Sequence, residues 1–197
     1  GHGGKELVLM DGTGNNGKTA LTGALKRALG GYGATLPNTL LLSGASKGSA
    51  TPEKMELRGI RFGYIEETPE GGYLEANAVK ELLDAESIKG RQLYRDYMEW
   101  TPTHSLFLNT NNIPSVPDTD DGAWRRLKRI NCPYRFRDID GGEALELPQD
   151  RPADTTLKDR LNNTEHGREA ILAWAIEGAR TFLGAGSLKQ AAQEPAS

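Results

Sequence analysis

The sequence is poor in the features that mark several common classes of protein. Its single cysteine, Cys132, excludes a network of internal disulfides and a zinc site built from several cysteines. No apolar run approaches the roughly 18–20 residues that a membrane-spanning helix needs. The three histidines, His2, His104 and His166, are isolated from one another, so we expect them to be structural or solvated rather than metal ligands.

Charge of one sign is not in excess either. The formal net charge is −3 over 197 residues, of which 26% are charged. Any contact with nucleic acid must therefore come from a local basic patch and not from the whole surface. The apolar content of 37% is enough to build a hydrophobic core, which excludes wholesale disorder.

The length is that of one domain with a small appendage. We expect residues 1–4 to be a remnant of expression, because their sequence is Gly-His-Gly-Gly. Residues 5–150 are expected to form the core, and residues 151–197 a helical C-terminal segment with a frayed tail. The chain enters an apolar run almost at once, which indicates a domain of a longer protein.

Short apolar runs alternate with segments of helical periodicity. Strands are predicted at residues 7–10, 59–65, 104–109 and 127–131, and helices at 18–29, 52–57, 74–83 and 165–183. Residues 39–42 predict either a strand or a buried turn, and the acidic stretch 137–155 predicts a linker or a surface excursion. Strands alternating with helices predict an α/β domain with a parallel sheet flanked by helices.

A glycine-rich loop follows the first predicted strand and precedes the first predicted helix. It matches G-x-x-x-x-G-K-[ST] at each fixed position, with the residues Gly12, Thr13, Gly14, Asn15, Asn16, Gly17, Lys18 and Thr19. Glycines let backbone N–H groups wrap an anion, and the following helix adds its positive end. The loop predicts binding of a nucleoside triphosphate, and ATP is the first candidate. Lys18 is expected at the β- and γ-phosphates and the Thr19 hydroxyl on Mg²⁺.

An acidic pair, Glu66 and Glu67, follows the predicted strand at residues 59–65. Ligands of open α/β sheets bind beyond the carboxyl ends of the strands, where this pair would lie. We assign Glu66 to Mg²⁺ and Glu67 to the attacking water. The alternative is a solvated acidic loop.

Three asparagines cluster at the end of the strand predicted at residues 104–109. Asn111 is the candidate for orienting water against the γ-phosphate, with Asn109 and Asn112 as the alternatives. The competing interpretation is turn chemistry, because Asn-Asn-Ile-Pro also favours a turn.

Two segments concentrate positive charge. Residues 123–137 hold six basic residues and no acid: Arg125, Arg126, Lys128, Arg129, Arg135 and Arg137. They suit an arginine finger, contacts with nucleic-acid phosphates, or a solvated basic strand paired with Asp118, Asp120 and Asp121; composition alone favours the last. Residues 88–100 mix basic with aromatic side chains, which suits single-stranded nucleic acid, but aromatics there suit the core equally.

The order of these elements resembles that of the superfamily-3 helicases, specifically the helicase part of phage and plasmid primase–helicases, which are AAA+-related P-loop ATPases. The resemblance rests on residues 12–19 (the Walker A motif), 58–67, 80–94, 107–114, 124–127 and 171–178. It implies an ATP-hydrolysing DNA helicase that acts in replication of a phage or mobile element, in the cytoplasm of a bacterial host. It also implies self-association into a hexameric ring around single-stranded DNA, with a monomer as the alternative for this segment alone.

The resemblance carries roles onto further residues. It places residues 80–94 in a hairpin that lines the central channel, where Lys89 and Arg91 would contact DNA. It makes Arg126, or else Arg125, the finger that reaches the ATP of a neighbouring subunit. Two other functions stay open on the residues alone: a P-loop kinase or phosphotransferase, and a non-catalytic module that uses nucleotide for loading or assembly.

Overall fold

The computed structural model describes residues 5–42, 52–66, 72–115 and 121–185. Its α-helices and strands follow one another in the order β1 (Leu7–Asp11), α1 (Lys18–Leu29), β2 (Gly33–Leu36), α2 (Pro52–Met55), β3 (Phe62–Glu66), α3 (Ala76–Asp84), β4 (Ile88–Gly90), β5 (Met98–Trp100), β6 (Ser105–Thr110), α4 (Asp121–Trp124), β7 (Leu127–Asn131), β8 (Arg135–Arg137), β9 (Asp150–Pro152), α5 (Leu157–Asn163) and α6 (Glu165–Ala185).

The centre of the molecule is a parallel sheet of five strands in the order β2-β3-β6-β1-β7. This confirms the parallel α/β architecture predicted from the sequence. Because all five strands run in the same direction, their carboxyl ends lie at one edge of the sheet. The loop that follows β1, Glu66 at the end of β3 and Asn111 after β6 therefore lie at that edge, which we call the carboxyl edge. None of the helices within the described ranges is long and apolar enough to cross a membrane.

The two faces of the sheet bury different side chains, since neighbouring residues of a strand point to opposite sides. One face packs against α3 and holds the main core, which includes Leu7, Leu9, Ile65, Leu106, Leu108, Val79 and Leu82. On the other face the rings of Phe62 and Phe107 lie 5.1 Å apart. On that side Asn109 of β6 donates to Thr22 of α1 at 2.8 Å. The sheet thus holds α1 directly behind the carboxyl edge.

The second strand differs from the expectation. Residues 39–42 form the buried turn, in which Leu40 and Leu41 are buried, and the strand is β2. Its sequence, Gly-Ala-Thr-Leu, has almost no apolar pattern, so periodicity did not indicate it. The first residue of β2 has to be glycine, because a Cβ at Gly33 would lie 2.8 Å from the Cα of Lys26.

The C-terminal part contains more regular structure than predicted. Within the stretch 137–155, β9 pairs in parallel with β8, and Arg135 donates twice to the buried carboxylate of Asp150. The stretch 137–155 therefore forms the surface excursion that the sequence allowed, and not a linker. Helix α5 was not predicted, because LKDRLNN has only two apolar residues. Both α5 and α6 pack against α1. The division of the chain at residue 150, like the remnant at residues 1–4, stays a prediction.

Candidate functional site

The glycine-rich loop between β1 and α1 has the backbone of an anion cradle. Gly12 has φ +149°, and a Cβ there would lie 2.3 Å from the carbonyl oxygen of Cys132, so no other residue fits. Gly17 lies in the left-handed region at φ 84° and precedes the first residue of α1. No side chain caps α1 there, so the N–H groups of its first turn are left for an anion.

Lys18 occupies the centre of this loop. Its side chain is 6% exposed, and its ammonium donates to the carbonyl of Gly12 at 2.8 Å, Oδ1 of Asn16 at 3.1 Å and Oδ1 of Asn111 at 3.1 Å. Burial lowers the pKa of Lys18, and the nearby Asp11 carboxylate offsets part of this shift. All three partners are neutral oxygens, so no carboxylate within the described residues contacts this buried cation. An anionic ligand would supply the missing charge.

An ion pair between a buried carboxylate and an exposed guanidinium fixes the base of the loop. The carboxylate of Asp11, the last residue of β1, accepts from Nε and Nη2 of Arg129 on β7 at 2.6 and 2.8 Å. The Arg129 guanidinium holds the pKa of Asp11 below its usual value. Next to this pair, the amide of Cys132 donates to the carbonyl of Asp11 at 2.7 Å. Sequence reasoning missed both partners, although an acid at the end of a buried strand is a usable signal.

The loop opens onto a cleft of about 400 Å³ at the carboxyl edge. Its lining residues are Gly14, Asn15, Asn16, Gly17, Lys18, Thr19, Ala20, Glu66, Asn109, Thr110, Asn111 and Lys158. The fold thus brings together most of the residues selected from the sequence: the loop, Glu66 at the end of β3, and Asn111 after β6. Glu67 lies outside the described residues. Lys158, on α5, was not anticipated, because its helix was not.

The three candidate asparagines have different surroundings. Asn111 reaches the ammonium of Lys18 inside the cleft. Asn109 is buried and uses its amide group to hold Thr22 of α1. The backbone of Asn112 bonds with the hydroxyl of Thr110, as in a turn. The strand end therefore combines turn chemistry with one asparagine side chain on the cleft lysine.

The residues chosen for Mg²⁺ lie on the same cleft. Thr19 and Glu66 both line it and are exposed, and they offer a hydroxyl and a carboxylate oxygen. Mg²⁺ prefers oxygen ligands, keeps several waters and commonly takes one or two protein ligands beside substrate phosphates. The donor set fits that mode. Within residues 5–42, 52–66, 72–115 and 121–185 there is no group of three or more His, Cys, Asp or Glu side chains that would hold a metal alone.

A hairpin made of β4 and β5 stands at the opposite, amino edge of the sheet, between the end of α3 and the start of β6. Lys89 faces Glu99 across the hairpin at 3.7 Å, and the Arg91 guanidinium lies 4.9 Å from the centre of the Tyr97 ring. At its tip Tyr94 is fully exposed, with φ +60°. Trp100 packs against the core instead. The mixed basic and aromatic segment thus contributes to both the core and the surface.

The basic residues from 126 to 137 are paired with acids of this chain. The pairs are Arg126 with Asp84, Lys128 with Glu6, Arg129 with Asp11, Arg135 with Asp150 and Arg137 with Glu143. Two of the acids expected as partners, Asp118 and Asp120, lie outside the described residues. Arg126 also accepts at its carbonyl from the amide of Leu7, which places it at the amino edge. Arg125 beside it is exposed.

The chain resembles known proteins both in sequence and in structure. No protein-family model matches the chain. It is 31% identical over 176 residues to a candidate helicase, L207/L206, of Acanthamoeba polyphaga mimivirus, and this match covers 85% of the chain. It is 29% identical to a candidate helicase, 022R, of Frog virus 3 (87% of the chain), and to a candidate primase, C962R, of African swine fever virus (73% of the chain).

Solved structures show the same fold. The apo structure of the C-terminal region of NrS-1 aligns with 84% of this chain at a TM-score of 0.56 and 15% identity. The match covers 35% of that structure, and the chain spans only 18% of the mimivirus protein. The AAA+-like α/β fold predicted from the sequence is confirmed. The chain is therefore a relative of viral proteins named as helicases and primases, which confirms the resemblance to the superfamily-3 primase–helicases.

Proposed function

We propose that the chain is the motor domain of a DNA helicase, which hydrolyses ATP to move along single-stranded DNA during replication of a virus or mobile element. The observation that carries the proposal is the contact between Lys18 and Asn111 inside the cleft. It brings the anion cradle after β1 and the polar end of β6 to one point. The names of the viral relatives support the helicase part of the proposal.

The phosphate chain of ATP is the anion that suits the cradle. Lys18 would exchange its neutral oxygen partners for β- and γ-phosphate oxygens, which are stronger acceptors because they are charged. The free N–H groups at the start of α1 would bind the same phosphates. Thr19 and Glu66 would hold Mg²⁺, which, when bound, neutralises charge on the phosphates.

Hydrolysis requires a water molecule aimed at the γ-phosphate. Glu67 is the proposed residue that polarises it, since it directly follows Glu66 at the cleft. Asn111 would orient this water or the γ-phosphate while Lys18 neutralises developing charge. A positioned base contributes about 10²–10⁴-fold to such a step, so Glu67 and Lys18 are expected to matter most for turnover.

The arginine finger is proposed to come from a second copy of the chain. Arg126 lies at the amino edge of the sheet, whereas the cleft lies at the carboxyl edge, so it cannot serve its own cleft. Its guanidinium pairs with Asp84, so reaching a neighbour's phosphate would require that pair to open. Arg125 is the alternative, because its side chain is exposed beside Arg126. This arrangement favours a ring, a hexamer in the full-length protein, in which each subunit completes the next.

Single-stranded DNA is the proposed track, and the β4–β5 hairpin is its proposed contact. Lys89 and Arg91 supply positive charge there, and Tyr94 supplies an exposed ring on which a base can stack. The hairpin follows directly on α3, whose last residue, Asp84, is the partner of Arg126. Movement of the hairpin on DNA would thus shift Asp84 and, through it, the position of Arg126, the proposed finger.

Steady-state ATP hydrolysis, measured with and without single-stranded DNA, tests the proposal. We expect turnover that rises several-fold with DNA and is abolished in both Lys18→Ala and Glu67→Gln. Transfer of phosphate to an added nucleoside, without an effect of DNA, would instead indicate a kinase. If the wild type bound nucleotide but Glu67→Gln caused no loss of ATP hydrolysis, the chain would instead be a loading or assembly module. Either of these results would overturn the helicase proposal.

A further inference from the structure

The cleft receives a side chain from the C-terminal helices. Lys158 lies on α5 and lines the same cleft as the glycine-rich loop. Among the described residues that line it, the charged side chains are Lys18, Glu66 and Lys158. Lys18 begins α1 and Glu66 ends β3, whereas Lys158 comes from a helix more than ninety residues further on. The cleft therefore has a wall that the glycine-rich motif does not predict.

The two lysines of the cleft differ in what they contact. Lys18 is buried and donates to three oxygens of the chain. Lys158 is exposed, and no acid within the described part of the chain forms an ion pair with it. The nearest acids along the chain have other partners, since Asp154 binds Arg160 and Asp159 accepts from Asn163. Within the described part of the chain, the Lys158 ammonium thus brings to the cleft a positive charge that no ion pair neutralises.

The helix that carries Lys158 is held in place at both ends. At its start, the Asp154 carboxylate accepts from the backbone amide of Thr156 at 3.0 Å. At its other end α6 approaches so closely that a Cβ at Gly167 would lie 2.0 Å from the carbonyl oxygen of Arg160. Both helices also pack against α1, which begins at the glycine-rich loop. The position of Lys158 relative to the loop is thus set by packing.

We propose that Lys158 is a second cationic ligand for the phosphates of the nucleotide, and that bound nucleotide thereby ties α5 and α6 to the core. The inference rests on the proposed function, because it assumes a nucleoside polyphosphate in the cleft. A triphosphate carries several negative charges, which Lys18 and the start of α1 neutralise only in part. Lys158, on a helix that is not part of the glycine-rich loop, would add a further positive charge for the phosphates.

Nucleotide affinity tests the proposal through a set of matched variants. Calorimetry with ADP and with a slowly hydrolysed ATP analogue compares the wild type with Lys158→Ala, Lys158→Arg and Arg168→Ala. We expect Lys158→Ala to bind both nucleotides at least about tenfold more weakly, as for loss of a hydrogen bond between charged groups. Lys158→Arg keeps the charge and is expected to bind within about threefold of the wild type. Arg168 is an exposed cation on α6 away from the cleft, so its loss is expected to change nothing.

Hydrogen exchange gives a second readout that a merely structural role would not produce. We expect nucleotide to slow exchange in residues 157–163 of the wild type and of Lys158→Arg, but not of Lys158→Ala. Wild-type affinity in Lys158→Ala, or equal protection of α5 in all variants, would overturn the inference while leaving the proposed function intact. Absence of nucleotide binding by the wild type would instead remove the proposed function itself.

Discussion

The ammonium of Lys18 lies 3.1 Å from Oδ1 of Asn111, a residue 93 positions further along the chain. One side chain begins the helix after β1, and the other follows β6. The two strands are hydrogen-bonded neighbours in the sheet, with Asp11 opposite Thr110 at their carboxyl ends. Strand register therefore sets this contact. A ligand that binds the Lys18 ammonium would also change the hydrogen bond between Lys18 and Asn111.

This relationship predicts a specific effect of Asn111→Ala. The asparagine would position groups for hydrolysis rather than supply binding charge, so turnover should fall by about 10²–10³-fold while nucleotide affinity changes only about threefold. Steady-state kinetics and calorimetry on the same preparation measure the two quantities. Asn112→Ala is the matched control, since Asn112 does not line the cleft and its backbone bonds with Thr110. Equal losses in both variants would contradict the assigned role.

Gly12 in the glycine-rich loop and Gly23 in α1 predict opposite effects of a Gly→Ala substitution. At Gly12 a methyl group would meet the Cys132 carbonyl at 2.3 Å, so Gly12→Ala should destabilise the protein by about 1–3 kcal/mol and abolish nucleotide binding. Gly23 lies inside α1 with open space at its Cβ position. Gly23→Ala should therefore stabilise it by about 0.5–1 kcal/mol.

Chemical denaturation measures both free energies of unfolding, and binding of a fluorescent nucleotide measures the state of the cradle. If Gly12→Ala were as stable as the wild type and still bound nucleotide, the close approach of the Cys132 carbonyl to Gly12 would be wrong. Loss of stability in Gly23→Ala would argue against the described helix.

The ion pair between Asp11 and Arg129 predicts a dependence of stability on pH. Arg129 depresses the pKa of Asp11, so the pair stabilises the fold above the ordinary carboxyl pKa, and this contribution is lost as the pH falls through the depressed value. In Arg129→Ala the buried carboxylate has lost its partner, and the variant should be clearly less stable at neutral pH. The gap to the wild type should shrink below about pH 4.

Thermal melting of both proteins at neutral and acidic pH checks this, with the exposed Arg168→Ala as the control that should show no gap. A gap that stayed constant or widened on acidification would show that Arg129 acts through something other than the charge of Asp11.

The β4–β5 hairpin predicts a role for Tyr94 in binding single-stranded DNA. Stacking of a base on an aromatic ring is worth about 1–3 kcal/mol, so Tyr94→Ala should weaken binding of an oligonucleotide by about 5- to 150-fold. Tyr94→Phe keeps the ring and should bind like the wild type. Fluorescence anisotropy with labelled oligonucleotide measures the affinities. Equal binding by Tyr94→Ala and the wild type would remove the hairpin from the DNA contact.

Much of the cleft could be predicted because its signals are local. The spacing from Gly12 to Thr19 and the apolar run before it identify the loop, and the apolar runs before Glu66 and Asn111 place both residues at the ends of strands. Parallel strands then bring such ends to one edge. No three-dimensional information beyond that rule was needed to bring Glu66, Asn111 and Lys18 into one cleft.

What could not be predicted depends on contacts between distant segments. β2 has almost no apolar pattern and exists because β3 pairs with it. The partners of the basic segment, such as Asp84 for Arg126 and Asp150 for Arg135, lie far from it or across an irregular excursion. Lys158 escaped notice because α5 is short and polar, and only packing against α1 and α6 brings it to the cleft.

The viral relatives also bear on the expected source. All of those named above are proteins of viruses, whereas the bacterial host and the phage origin expected from the sequence stay predictions.

Calorimetric titration of the chain with a slowly hydrolysed ATP analogue and Mg²⁺ tests the central claim most directly. The account predicts one site per chain with a dissociation constant between about 1 μM and 1 mM, and at least about tenfold weaker binding by Lys18→Ala. Absence of binding by the folded wild type, or equal binding by Lys18→Ala, would contradict it.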